Sequence, residues 1–260
     1  MNKISYALAL GAGLVLAPAA SAAPIVQQLD SPEMTASAFN SLFKPIAEAP
    51  PITSEFKLMN TPVTGVVQSQ VLEGTGAYEG VYAYAYQFGV RDVADNSGEP
   101  ASINIASLQF NSTPVRADLL GTGGPGSAVF VVKDGVVGSL SLPAAAVGSI
   151  VTGPSSVSWV PGQKTGALNF QYLDTSTNSG PLEAGSTSGA IVVLTTEKWT
   201  NKLVSLQNSI NPPDVNPSAY SSEGGPIQEV PVPEPATVLG WAGVMAALAV
   251  ARARRARRAV

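Results

Sequence analysis

The side chains best spaced for chemistry lie between Tyr78 and Glu99. In YEGVYAYAYQFGV, Tyr78 to Val90, an extended chain puts Tyr82, Tyr84, Tyr86 and Phe88 on one side. Val81, Ala83 and Ala85 fall on the other, because side chains alternate along a strand. Left open to solvent, Tyr82, Tyr84 and Tyr86 would make a stacking platform for sugar rings. Turned inward, the same residues would be the core face of a central strand, which is the simpler reading. The loop that follows, RDVADNSGE, gathers Asp92, Asp95, Asn96 and Glu99, oxygen ligands of the kind that hold calcium. Their spacing departs from the EF-hand, which alternates its ligands and closes on a glutamate. A solvated turn on Asn96-Ser97-Gly98 therefore competes with metal binding, and Ca2+ is the only cofactor these residues suggest.

What is missing excludes more than what is present. There is no cysteine and no histidine in 260 residues. That removes Cys-His pairs, Ser-His-Asp triads, histidine-ligated metals and CxxC redox work. Carboxylate, lysine, serine and tyrosine chemistry remain. A carboxylate hydrolase needs two acids about 5–10 Å apart in a cleft, and no spacing in the chain singles out such a pair.

Three short motifs, Ser41-Leu-Phe-Lys44, Ser102-Ile-Asn104 and Lys164-Thr-Gly166, resemble in chain order the SxxK, SxN and KTG elements of serine penicillin-recognising enzymes. The resemblance would imply a serine nucleophile activated by a neighbouring lysine. Its context argues against it. Pro45 stops helix growth directly after Lys44, and the Ile52–Thr195 region lacks the large helical domain such enzymes require. The expectation is a chain with no catalytic residues.

The elements that must position these groups read mainly as strands. Candidates are Gly65–Leu72, Gly80–Arg91, Ala101–Phe110, Ser127–Lys133, Ser156–Val160, Ala167–Leu173 and Ser188–Thr195. Leu119–Gly126 (LLGTGGPG) and Asp174–Gly189 are loops by composition. Short helices are expected at Met34–Phe43, ending near Pro45, and at Glu197–Leu206 through Trp199, Leu203 and Leu206. The fold class this predicts is all-β: a β-sandwich-like ectodomain over 23–207 with short flanking helices. A proline-rich linker is expected over 208–231. Between Pro24 and Val230 stand 17 acidic and 8 basic residues, a net charge of −9. Such a surface repels nucleic acid.

Both ends read as addresses. Residues 1–22 hold Lys3, an uncharged run and Ala20-Ser21-Ala22, the pattern of a signal peptide cleaved after Ala22. From Val232 the chain reads Pro233-Glu234-Pro235, an uncharged stretch over 236–251, and a basic tail over 252–260. Sixteen residues of helix cover about 24 Å, slightly short of a bilayer core of about 30 Å. The basic tail, with arginines at 252, 254, 255, 257 and 258, would stay on the cytoplasmic side.

This three-part order over about 28 residues resembles a PEP-CTERM sorting signal. The resemblance implies export across the inner membrane of a Gram-negative bacterium, with signal peptidase and a membrane-embedded exosortase as partners. It implies transient membrane insertion through a transmembrane sorting helix, then delivery to the cell surface or extracellular matrix. The function expected on this basis is a non-catalytic, matrix-associated structural protein. A glycan- or calcium-binding module is the alternative, and exopolysaccharide a candidate partner.

Overall fold

The computed structural model describes residues 26–91, 102–141, 151–162, 165–207, 212–225, 227–228 and 230. The chain opens with β1 (Gln27–Leu29), α1 (Ala36–Leu42), β2 (Phe43–Pro45), β3 (Ile52–Lys57) and β4 (Thr64–Gly74). Next come β5 (Tyr82–Val90), β6 (Ser102–Ile103), β7 (Ile105–Phe110), β8 (Val129–Val132) and β9 (Val151–Thr152). It continues through β10 (Ser156–Val160), β11 (Gly166–Gln171), β12 (Leu182–Glu183) and β13 (Thr187–Ser188). Last are β14 (Ala190–Thr195), β15 (Trp199–Gln207) and β16 (Ser218–Ser222).

These strands form two large sheets. The first runs β1-β10-β11-β7-β15-β16, antiparallel throughout. The second is centred on β5, which pairs β4 in register from Gly65↔Val90 to Glu73↔Tyr82 and pairs β14 on its other edge. β8 lies beyond β14, and β2 and β3 lie beyond β4. β6 and β12 make a separate two-stranded ribbon.

One face of the second sheet meets the first sheet in an aromatic core. Tyr84 contacts Phe110 edge-on with centroids 5.2 Å apart, Tyr86 tilts against Phe170 at 5.7 Å, and Phe110 meets Trp159 at 90°. Edge-to-face and tilted pairs of this kind add about 0.5–1.5 kcal/mol each beyond the area they bury. Gly166 lies under the Trp159 ring; a Cβ there would sit 1.8 Å from it, so the position must stay bare.

The opposite face is small and aliphatic, with Ala83, Ala85, Val192 and Leu194. It is covered by a third layer: Phe39 of α1, Met34 before it, and Leu119, Val137 and Leu140 from loops. The small side chains of β5 allow that close approach. α1 starts at Thr35, whose hydroxyl accepts from the Ala38 amide at 3.2 Å, as a helix N-cap does. It ends where Phe43 turns extended and stacks on Phe39 at 4.9 Å.

Two corrections follow. The predicted all-β sandwich with two flanking helices is instead a mixed fold of extensive sheet and, among the described residues, one short α-helix, which helps cover the second face of the β5 sheet. The helix expected at Glu197–Leu206 is strand β15. Trp199, Leu203 and Leu206 suggested a helical stripe, but burial follows Val204 and Leu206 at period two, while Leu203 is exposed.

The expected linker also joins the fold. β16 pairs β15, Tyr220 donates to the Pro50 carbonyl at 2.8 Å, and the Val230 amide donates to Gln27 Oε1 at 2.7 Å. No helix among the described residues is long and apolar enough to cross a membrane, and the sorting helix expected over 236–251 lies outside them.

Candidate ligand cavity

The tyrosine row does not form a platform. Tyr84 and Tyr86 are 0% exposed. Their hydroxyls donate to the backbone carbonyls of Glu197 at 2.9 Å and Tyr220 at 2.8 Å. Burial pushes both hydroxyls far above the usual phenol range, so they remain neutral donors. Tyr82 is half-buried and packs edge-on against Trp199 at 5.7 Å. Stacking of sugar on Tyr82, Tyr84 and Tyr86 is thereby corrected: the rings are already occupied by the facing sheet.

The other predicted sites are dispersed or lie elsewhere. Asp92, Asp95, Asn96 and Glu99 lie outside the described residues, as do Lys164 and Pro233-Glu234-Pro235. Among the described residues no three acidic groups are placed to hold a metal ion. Ser41 donates to the Ala38 carbonyl at 2.6 Å and Lys44 to the Asn40 carbonyl at 2.7 Å, so both are engaged within their own helix end. Ser102 is buried in β6, opposite Glu183. Among the described residues, Ser41 and Lys44 are therefore bonded to backbone carbonyls and not to each other.

A cavity of about 460 Å3 forms where the chain before β8 folds back toward the segment after β1. Ala117 and Ser127 exchange backbone hydrogen bonds at 3.0 and 3.1 Å, closing a loop over 118–126. The closure demands glycine at 126: its φ is +70°, and a Cβ would lie 2.1 Å from the Ala117 backbone. Inside the loop, Asp118 accepts from the Thr122 amide at 2.9 Å, the Thr122 hydroxyl at 3.1 Å and the Gly123 amide at 2.6 Å. The Thr122 amide, followed by the other loop donors, holds this carboxyl below the usual carboxylate range. Tyr78 donates to the Asp118 carbonyl at 2.9 Å, tying the loop to the second sheet's turn. On the other side, the Val131 amide donates to the Pro32 carbonyl at 3.0 Å and the Met34 amide donates to the Val131 carbonyl at 2.9 Å.

The lining combines apolar surface with three charged groups. Pro32, Leu119, Leu120 and Phe130 contribute the former; Asp30, Arg116 and Asp118 are the latter. Arg116 Nη1 donates to the Gly126 carbonyl at 3.1 Å, which fixes the guanidinium against the loop. Arg116 Nε is buried without a partner. The Asp30 carboxylate has no hydrogen-bond or ion-pair partner among the described residues. Arg116 and Asp30 do not pair within 4.0 Å: the ion pairs there are Arg91–Glu55 and Lys133–Glu33.

Sequence reasoning marked 119–126 as a loop and passed over Arg116 and Asp30. The available signal was a charged Arg-Ala-Asp run entering a glycine-rich loop, which composition alone cannot distinguish from an ordinary turn.

No family model, no curated protein and no solved structure matches the chain. The expected function, a matrix-associated structural protein sorted by exosortase, is corrected accordingly. Its partners, its membrane insertion and its surface localisation all needed a sorting helix that the described residues do not contain, and no matching family supplies that machinery. The segments that suggested it, 1–22 and 232–260, lie outside the described residues.

Proposed function

We propose that the chain is a non-catalytic binding module whose ligand occupies the cavity between residues 30–32 and the 116–127 loop. The observation that carries this reading is the cavity itself, with the Arg116 guanidinium held at its wall by the Gly126 carbonyl at 3.1 Å, beside Leu119, Leu120 and Phe130. The cavity, about 460 Å3, is within the range of about 300–1,000 Å3 typical of small-molecule sites, and its lining mixes polar and apolar groups.

Asp118, beside it, accepts three loop hydrogen bonds. Its work is to hold the loop. The test is thermal unfolding of the full chain across a panel of small carboxylates and amides, repeated with Arg116→Gln. A ligand at a hundred times its Kd stabilises by about 2.7 kcal/mol. A rise in Tm that disappears in R116Q is the expected result. A panel without any shift, or shifts that R116Q leaves unchanged, defeats the reading.

A further inference from the structure

We infer that the β1 edge of the first sheet carries a slot for an extended peptide, filled in cis by the chain's own Ile227, Gln228 and Val230. Its partner in trans is the same segment of a second copy of the chain.

Every backbone polar group of Gln228 and Val230 is taken up by a side chain of the slot. The Trp159 indole donates to the Gln228 carbonyl at 3.0 Å, and the Gln228 amide donates to the Thr113 hydroxyl at 2.7 Å. Two residues on, the Val230 amide donates to Gln27 Oε1 at 2.7 Å, and Gln27 Nε2 donates to the Val230 carbonyl at 3.3 Å. Gln27 and Trp159 are paired across β1 and β10, so neighbouring side chains read the backbone at alternate residues. That is the periodicity of an added strand. Among the described residues, no backbone–backbone hydrogen bond joins Gln228 or Val230 to the sheet. Side-chain clamps can release the segment without opening a ladder.

The occupant is selected by its apolar positions. Val230 is 1% exposed and belongs to the aromatic core, and Ile227 packs partly buried against it. The Gln228 side chain is exposed, so that residue contributes its backbone alone. The slot thus takes an extended segment that buries one apolar side chain, and every copy of the chain carries such a segment. Between it and β16 stand Gly224 and Gly225, both exposed, and a Cβ on Gly224 would meet only open space. A glycine hinge after the last strand suits exchange between copies, because the contacts made in trans repeat those made in cis. None of the slot residues lines the Arg116 cavity, so the two sites stand or fall separately.

The experiment titrates the full chain into a fluorescein-labelled peptide with the sequence of residues 223–231, read by fluorescence anisotropy. In the parent chain the slot is already filled. In Val230→Asp the tethered segment cannot bury its side chain, so this variant should bind the peptide about tenfold or more tightly than the parent does. Adding Gln27→Ala removes both hydrogen bonds at the Val230 position and should weaken the peptide by about tenfold. Deleting Gly224 and Gly225 shortens the tether by about 7 Å and leaves slot and segment unaltered. Light scattering should then show more dimer than in the parent chain at the same concentration. Peptide binding by V230D no tighter than by the parent, or tight binding that Q27A leaves unchanged, overturns the proposal. A hinge deletion with the parent's mass overturns it too, and decides alone where V230D fails to fold.

Discussion

The two faces of the second sheet are built on different terms. Against the first sheet, β5 presents Tyr84, Tyr86 and Phe88, large rings locked by facing rings and by hydroxyls bonded to the backbone. Against α1 and its neighbouring loops, the same strand presents Ala83 and Ala85. The aromatic face is held by many long-range contacts between two regular sheets. The aliphatic face is covered by a seven-residue helix and by loops, including the 118–126 loop that closes the cavity. The difference separates tasks: one face sustains the fold, and the other carries the segments free to shape a site.

The hardest test of that division is Tyr86→Ala. It removes a fully buried ring and strips the Tyr220 carbonyl of its donor. The cost should approach 5 kcal/mol, the upper part of the range for losing a buried aromatic side chain. Urea unfolding should show it as a global loss. If the variant unfolds at a denaturant concentration near that of the parent chain, the aromatic face is not the structural one.

Phe39→Ala is the matching test on the other face. Phe39 is 0% exposed and stacks on Phe43, but it belongs to a short helix with room to settle into the space left behind. A loss of about 3 kcal/mol is expected. Its amide-exchange protection should fall mainly at α1 and the loops it meets, while β5 and β14 stay protected. Equal losses spread through both sheets would mean that the layers unfold as one and that the comparison has no energetic content.

The sequence carried the strands well and the layering poorly, for a physical reason. Ser156–Val160 is a strand over the span its pattern suggests, and Tyr82–Val90 lies within Gly80–Arg91. Alternation reports which side chains share a face. It does not report what that face meets, and a face of alanines reads alike whether it lies bare or under a helix. The Glu197–Leu206 error has the same root, since apolar residues at spacings of three and four also occur in a strand whose outward positions include a leucine. The cavity was less legible still. Arg116 gains its meaning from Gly126 ten residues on and from Asp30 some 86 residues back, a juxtaposition that only the folded chain creates.

The smallest expected effect isolates the loop from the sheets. In the folded chain the ionised Asp118 carboxylate is held by the Thr122 and Gly123 donors, so its pKa lies below the usual value of about 3.9. A group whose folded pKa is depressed contributes its stability above the unfolded value and loses it as pH falls through the folded one. Acidification below about pH 4 should therefore release the loop, while no Asp or Glu is buried among the described residues of the core. Heteronuclear NMR should show the Thr122 and Gly123 amide shifts titrating in that window while those of Tyr86 and Phe88 hold still. Asp118→Asn, which keeps an oxygen acceptor but cannot ionise, should abolish the step without unfolding the chain. A single acid transition shared by the loop and β5 would show instead that the cavity loop is inseparable from the core, and the division of labour between the two faces would fail with it.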